Sequence, residues 1–192
     1  MIAERLRRAL IVSSVEKSID FFDKSFGKNF EKDVAVSATE AKQKLLERDY
    51  EIVLINAPLK DEFGTELAEN IVKDSYAGVI MLVKQDVYED VCFGIEKIGV
   101  YCMMKPLSVQ TFRQGLQLAV ATNERLKGLI KKTQSLKDKM EEIKLVGRAK
   151  LLLITKMSFS EEQAHKYIEK QAMDRCVKKS AVAWDVIKTY GD

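Results

Sequence analysis

Residues 50–56 have the sequence Tyr50-Glu-Ile-Val-Leu-Ile-Asn56, which is apolar at its centre and ends on a polar side chain. A short apolar run of this kind is typical of a strand that is covered on both faces of a sheet. We therefore predict a buried strand here. Two similar runs precede it and two follow it, at residues 9–12, 34–36, 79–83 and 100–104.

Segments with helical character separate these five runs. Apolar residues recur at helical spacing over residues 15–26, and Ser37-Ala-Thr-Glu40 has the capping-box pattern that starts a helix. Further helices are predicted over residues 65–72 and 86–98, and Ser108 is placed to cap the next. Strands that alternate with helices predict an α/β fold, namely a five-stranded parallel, flavodoxin-like domain over residues 1–124.

The order and spacing of these elements resemble a response-regulator receiver domain. In that family an acidic pair after the first strand binds Mg²⁺, and an Asp that ends the third strand accepts a phosphoryl group. A Thr or Ser ends the fourth strand, and Lys-Pro follows the fifth. At the matching positions of the altered pocket this sequence has Ser13, Ser14, Asn56, Val83 and Lys105.

Only the Lys105-Pro106 motif of that pocket remains. Two serines do not supply the charge that Mg²⁺ needs, and an amide nitrogen is not a nucleophile. We therefore expect a degenerate receiver that is not phosphorylated, with Asn56 as a hydrogen-bonded strand-end residue. Two interpretations of Lys105 stay open, a bond to Asn56 or a backbone carbonyl, or an anion site, and we favour the first.

Composition excludes most enzyme chemistries. The chain has 192 residues, of which 46% are hydrophobic and 32% charged, and its single histidine, His165, argues against metal sites and a Ser-His-Asp triad. The three cysteines, Cys92, Cys102 and Cys176, form no CxxC pair, so we expect no disulfide framework and no metal. No apolar run is long enough to span a membrane. We expect a cytoplasmic protein that is not an enzyme and has no cofactor.

The two parts of the chain differ in charge. Residues 1–124 contain 16 lysines and arginines against 20 acidic residues, whereas residues 125–192 contain 16 against 9. An acidic part joined to a basic part predicts two modules with different partners.

A coiled-coil linker helix is predicted over residues 113–146. Apolar and small residues recur every three or four positions from Ala119 to Ile143, with no proline. The pattern favours a parallel homodimer, although one long amphipathic helix packed on its own chain would show it too. Flanking lysines would weaken the pairing, or would serve an anionic partner. The predicted dimer seam consists of Leu126, Leu129, Leu136, Met140 and Ile143.

Residues 141–192 predict an all-α domain of three helices. The first is the end of the long helix, the second starts at the capping box Ser160-Glu-Glu-Gln163, and the third covers residues 180–190 with Trp184 and Ile187 on one apolar face. Five residues are expected in its core rather than in contact with a partner: Ala149, Ala164, Ala172, Met173 and Trp184.

This segment resembles the ANTAR domain, the RNA-binding module of transcription antitermination regulators. The matching motifs are Ala149-Lys150 before an apolar run, an acidic pair before Ala164, and the Ala172-Met173 pair. Three positions depart from the family pattern, where Leu151 replaces a glycine, His165 an aromatic residue and Glu169 an arginine. The chain is thus identified as a member of the ANTAR response regulators with a degenerate receiver.

The resemblance implies that a dimer binds paired RNA hairpins in nascent leader transcripts. Lysines and arginines would meet phosphates, while Gln171 and His165 would contact or stack on loop bases. The alternative is an adaptor whose receiver binds a regulatory protein while the helices only dimerise. A DNA-binding regulator is less favoured, because no recognition helix is evident. The RNA-binding candidates are Arg148, Lys150, Lys156, His165, Lys166, Lys170, Gln171, Arg175, Lys178 and Lys179.

Overall fold

The computed structural model describes residues 6–191, which divide into one compact unit that ends at Lys127 and a second that begins at Gly128. The first unit holds five strands and four complete helices. The strands are β1 (Arg7–Val12), β2 (Phe30–Ala35), β3 (Ile52–Asn56), β4 (Gly78–Lys84) and β5 (Tyr101–Lys105). The helices are α1 (Glu16–Phe26), α2 (Ala38–Glu47), α3 (Thr65–Asp74) and α4 (Tyr88–Ile95).

All five strands are parallel and lie in the order β2-β1-β3-β4-β5. This is the predicted flavodoxin-like α/β sheet, and its topology is confirmed. The second strand begins at Phe30, four residues before the predicted start. The predicted helix over residues 86–98 is shorter than expected, because short 3₁₀ turns flank α4 on both sides.

Alternate residues of each strand pack on opposite faces of the sheet, as the two-residue period of a strand requires. On one face, Leu10, Val53 and Met81 join a core with α2, α3 and α4. On the other face, Leu54 and Ile80 join a core that contains phenylalanines of α1 and Phe112. Both faces of β3 are therefore covered, which explains why residues 52–55 form a continuous apolar run.

Gly64 is required where the loop after β3 enters α3. Its φ of +110° lies in the left-handed region that favours glycine, and an added Cβ would lie 2.8 Å from Ile55 Cγ2. This glycine therefore lets the loop after Asn56 pass closely over the end of the sheet.

Helix α5 (Val109–Met157) continues without interruption for 49 residues and passes from the first unit into the second. Within the first unit, Phe112, Leu116 and Ala119 are buried in the sheet core. Ala119 was expected in the coiled-coil pattern, and this expectation is wrong because its methyl group packs within the receiver-fold core.

The second unit contains the end of α5 with α6 (Glu161–Asp174) and α7 (Lys179–Tyr190). Ser160 forms the predicted capping box with Gln163, because each side chain bonds the other residue's backbone N–H. The core includes Ala149, Ala164 and Ala172, as predicted, packed with Leu153 and Ile168.

The expectation of no disulfide is wrong. Cys92 of α4 and Cys102 of β5 are bonded, with their Cα atoms 5.9 Å apart, whereas Cys176 is free and exposed. The two cysteines are ten residues apart in sequence, but the crossover from α4 into β5 places them side by side. Sequence spacing without a CxxC motif therefore gave no signal of the pair.

Among the described residues, no helix is long and apolar enough to cross a membrane.

Candidate functional site

The altered phosphorylation pocket lies at the carboxyl ends of β1, β3 and β5. Asn56 is 4% exposed and joins the three strands, because its Nδ2 donates to Ser13 Oγ at 3.0 Å and its Oδ1 accepts from Lys105 Nζ at 2.8 Å. Lys105 Nζ also donates to the Ala57 carbonyl oxygen at 2.5 Å. Lys105 thus bonds both Asn56 and a backbone carbonyl, in agreement with the interpretation that we favoured from the sequence.

The other two predicted pocket positions take no part in this network. Ser14 is exposed, whereas Val83 is fully buried in the sheet core. Ser13 is fully buried, and its Oγ also accepts a hydrogen bond from the Val15 backbone N–H. The network therefore consists of a hydroxyl, an amide and an ammonium group, and it contains no carboxylate that could hold Mg²⁺.

Burial lowers the pKa of Lys105, and repulsion from Lys84 lowers it further. The ammonium group has no carboxylate partner in the network, so only the Asn56 amide oxygen and the Ala57 carbonyl oxygen compensate its charge. Within residues 6–191, no group of three or more His, Cys, Asp or Glu side chains is arranged to hold a metal ion.

An acidic residue outside the predicted pocket orders the neighbouring loop. The carboxylate of Asp61 accepts hydrogen bonds from the Ala38 N–H at 2.8 Å, the Thr39 N–H at 2.9 Å and the Thr39 hydroxyl at 2.8 Å. These bonds lower the pKa of Asp61 to about 2. Sequence reasoning missed this role, because it depends on a contact across more than twenty residues.

The second unit places most of the predicted RNA-binding side chains at its surface. His165, Lys166, Lys170, Arg175 and Lys178 are exposed. Arg148 and Lys156 are exposed as well, whereas Lys150, Gln171 and Lys179 are half-buried.

Several of these cations are in ion pairs inside the unit. Lys150 pairs with Glu161, Lys166 with Glu162, and Arg175 with Asp185 at 2.7 Å. Such pairs at an exposed surface are weak, so an external anion can replace the carboxylate at small cost.

Glu169 contacts two of the predicted RNA-binding side chains. Its Oε1 lies 3.2 Å from His165 Nε2 and 2.5 Å from Lys179 Nζ. The hydrogen bond from Lys179 and the nearby His165 lower the pKa of Glu169. This carboxylate replaces the arginine of the family pattern and therefore reduces the positive charge of the α6 surface.

Three of the positively charged candidates have no ion pair or side-chain hydrogen bond within the described chain. They are Arg148, Lys170 and Lys178, and their charges are available to an anionic partner. Lys188 on α7 shares this property, although sequence reasoning did not single it out.

Two expected core residues are at the surface instead. Trp184 is 59% exposed and Met173 is 76% exposed. The predicted apolar face of α7 is confirmed at Ile187 and wrong at Trp184, because the residues that pack inward are Val182, Ala183, Val186 and Ile187. The pairs Val182-Ala183 and Val186-Ile187 lie one turn apart, so this face buries four apolar side chains. A face centred on Trp184 would bury fewer of them.

The predicted dimer seam on α5 is exposed within one chain. Its five members are between 51% and 71% exposed: Leu126, Leu129, Leu136, Met140 and Ile143. A row of large apolar side chains in water is unusual for a helix that has no further partner.

A family model described as the ANTAR domain matches residues 134–187. Over 141 residues the chain is 29% identical to the transcriptional regulatory protein PdtaR of Mycobacterium tuberculosis. The match covers 73% of this chain and 69% of PdtaR.

Solved structures match the first unit. A CheY-like receiver domain protein from Methanospirillum hungatei superposes with a TM-score of 0.55 at 22% identity, covering 62% of this chain and 98% of that one. The receiver domain of an HD domain-containing protein from Pseudomonas fluorescens gives 0.59 at 22% identity, covering 65% and 93%. These likenesses establish the receiver fold of the first unit. Together with the ANTAR match over residues 134–187 and the similarity to PdtaR, they support an ANTAR response regulator with a receiver domain.

Proposed function

We propose that this transcriptional regulator is an antitermination protein that binds paired RNA hairpins in nascent leader transcripts. It acts as a dimer, in the cytoplasm, and binds rather than catalyses. The observation that carries the proposal is the ANTAR match over the helical unit, whose surface presents cations that form no ion pair among the described residues. The domains we assign are 1–124 for the receiver, 113–146 for the linker helix and 141–192 for RNA binding.

The surface charges support an RNA ligand. Arg148, Lys170 and Lys178 are exposed cations that form no ion pair within residues 6–191, and the paired Lys150, Lys166 and Arg175 would exchange weak carboxylate contacts for phosphate contacts. Each phosphate contact releases condensed counterions, so affinity for RNA falls as salt rises.

The dimer is supported by the exposed seam on α5. Parallel association would bury Leu129, Leu136 and Ile143 against their copies, and it would give one protein two RNA-binding units for two hairpins. In this proposal the receiver does not switch by phosphorylation, because the Asn56 position is an amide held by Ser13 and Lys105.

The test begins with RNA crosslinked to the full chain in cells and sequenced. The recovered transcripts are expected to contain two neighbouring stem-loops, and the purified chain is expected to bind them with a linear fall of log affinity against log salt. Arg148→Glu combined with Lys170→Glu should reduce affinity at least tenfold.

Lys17→Glu, an exposed lysine of α1, is the matched control and should leave RNA affinity unchanged. Equal binding of the recovered RNA and of an unrelated hairpin would contradict specific recognition. Full RNA binding by the double variant would instead place the interface away from α5 and α6.

A further inference from the structure

Trp184 is the only tryptophan of the chain, and it lies on the exposed face of α7. The core of the second unit does not need it, since Val182, Ala183, Val186 and Ile187 already fill the inward face. Within residues 6–191 the indole makes no hydrogen bond and no contact with another aromatic ring. The Trp184 side chain is thus exposed to solvent although the core of the second unit does not require it.

The exposed neighbours of the ring on α7 are small or charged. Ala181 precedes it on the same face, and Lys188 follows one helical turn later. The adjacent Asp185 is held by Arg175, whereas Lys188 has no anionic partner in the described chain. The surface around Trp184 is therefore a flat ring with a cation one helical turn away that forms no ion pair within residues 6–191.

We propose that Trp184 is a stacking platform for one unpaired base of an RNA loop, and that Lys188 contacts a neighbouring phosphate. The proposal rests on the RNA-binding function proposed above and adds a recognition element that the family resemblance did not supply. Stacking on an exposed aromatic side chain is a common way in which proteins hold unpaired bases, since every base has a π-face.

The size and charge of this surface favour RNA over a protein partner. A stable protein interface buries roughly 1,200–2,000 Å² and has an apolar centre, whereas the exposed face of α7 offers one large apolar side chain among Ala181, Asp185 and Lys188. One ring and one cation a helical turn apart offer one contact for the base and one for the phosphate of a nucleotide.

Because Trp184 is unique, its fluorescence reports contact without any mutation. The probe is an RNA selected by the full chain from a synthetic pool of two stem-loops with randomised loop sequences. We expect saturable quenching of the tryptophan emission, with the same midpoint as the anisotropy change of the labelled RNA.

Three variants separate stacking from charge. Trp184→Ala should weaken binding of the selected RNA by roughly ten- to hundredfold with an unchanged salt slope, and Trp184→Phe should restore part of the affinity. Lys188→Gln should reduce the salt slope by about one phosphate contact. Phe93→Ala, which removes a 72% exposed aromatic ring of α4, is the matched control and should have no effect.

The outcomes distinguish this inference from the proposed function. If the pool yields no bound RNA, the RNA-binding function itself fails. If RNA binds tightly but neither quenches Trp184 nor responds to Trp184→Ala, the function stands and the stacking role is overturned. If Trp184→Ala instead dissociates the dimer in sedimentation without changing RNA affinity per subunit, the ring serves a protein contact and the inference is again wrong.

Discussion

Lys105 Nζ lies 2.8 Å from Asn56 Oδ1, and this bond joins β5 to β3 at the end of the sheet where a receiver would hold its phosphoryl group. The same ammonium group donates to the Ala57 carbonyl oxygen, and the Asn56 amide continues the network to Ser13. The retained lysine thus has a structural use that needs no phosphate.

Removal of this lysine should destabilise the first unit. Lys105→Met leaves the buried Asn56 Oδ1 without its donor, and an unsatisfied buried acceptor costs about 1–3 kcal/mol. Urea unfolding followed by circular dichroism measures the change. Lys73→Met, an exposed lysine of α3, is the control and should change stability by no more than about 0.5 kcal/mol. Equal stability of the two variants would mean that the Lys105 bonds contribute nothing.

The wild-type chain should not accept a phosphoryl group from acetyl phosphate and Mg²⁺. Asn56→Asp alone should also fail, because Ser13 and Ser14 provide no carboxylate for the metal ion. Intact-mass spectrometry and Mg²⁺ titration measure both properties. The triple variant Ser13→Asp, Ser14→Asp, Asn56→Asp is the positive comparison and should gain Mg²⁺ affinity. A phosphoprotein formed by the wild type would overturn our interpretation of the pocket.

Charge in the exposed seam should prevent association. Leu129→Lys together with Leu136→Lys would place charged groups at the centre of a dimer, and the dissociation constant should rise at least a hundredfold by analytical ultracentrifugation. Leu46→Lys changes an 89% exposed leucine of α2 and should leave the oligomeric state as in the wild type. A seam variant that still dimerises would show that α5 does not form the interface.

Loss of the Glu169 carboxylate should strengthen RNA binding. Glu169→Gln frees His165 and Lys179 from their shared anionic partner, so affinity should rise about three- to tenfold at low salt, with a steeper salt dependence. The measurement is fluorescence anisotropy with the RNA recovered by crosslinking. Glu47→Gln on α2 makes the same charge change in the first unit and should have no effect; a weaker Glu169→Gln complex would contradict the prediction.

Acid should remove the contribution of Asp61 to stability. Its pKa in the folded chain is about 2, below the ordinary value near 3.9, so the stabilisation is present above about pH 5 and is lost as the pH falls toward 2. Asp61→Ala should therefore be less stable than the wild type at neutral pH, and the two proteins should converge at low pH in thermal unfolding. A difference that persists unchanged at low pH would show that the carboxylate charge is not its source.

Much of the first unit could be predicted from the sequence because both faces of its sheet are covered. A strand such as β3, with residues 52–55 fully buried, has to be apolar throughout, and that signal is local. The altered pocket could be assigned for a related reason, since the family pattern fixes the positions of Ser13, Asn56 and Lys105 at strand ends.

Other contacts depend on tertiary packing and could not be predicted from local sequence patterns. The bond between Cys92 and Cys102 and the bonds of Asp61 to α2 depend on which segments the crossovers bring together. The exposure of Trp184 also depends on tertiary packing, because α7 buries a different face, which consists of Val182, Ala183, Val186 and Ile187.

The parallel α/β fold and the ANTAR resemblance could be predicted because their signals are local, and the loss of the acidic pocket could be predicted because each pocket position follows a recognisable strand. The contacts of Glu169 with His165 and Lys179 and the exposure of Trp184 depend instead on how the helices of the second unit pack together. A short helix can bury either of two overlapping apolar faces, and the face that packs better against the neighbouring helices is the one that is buried.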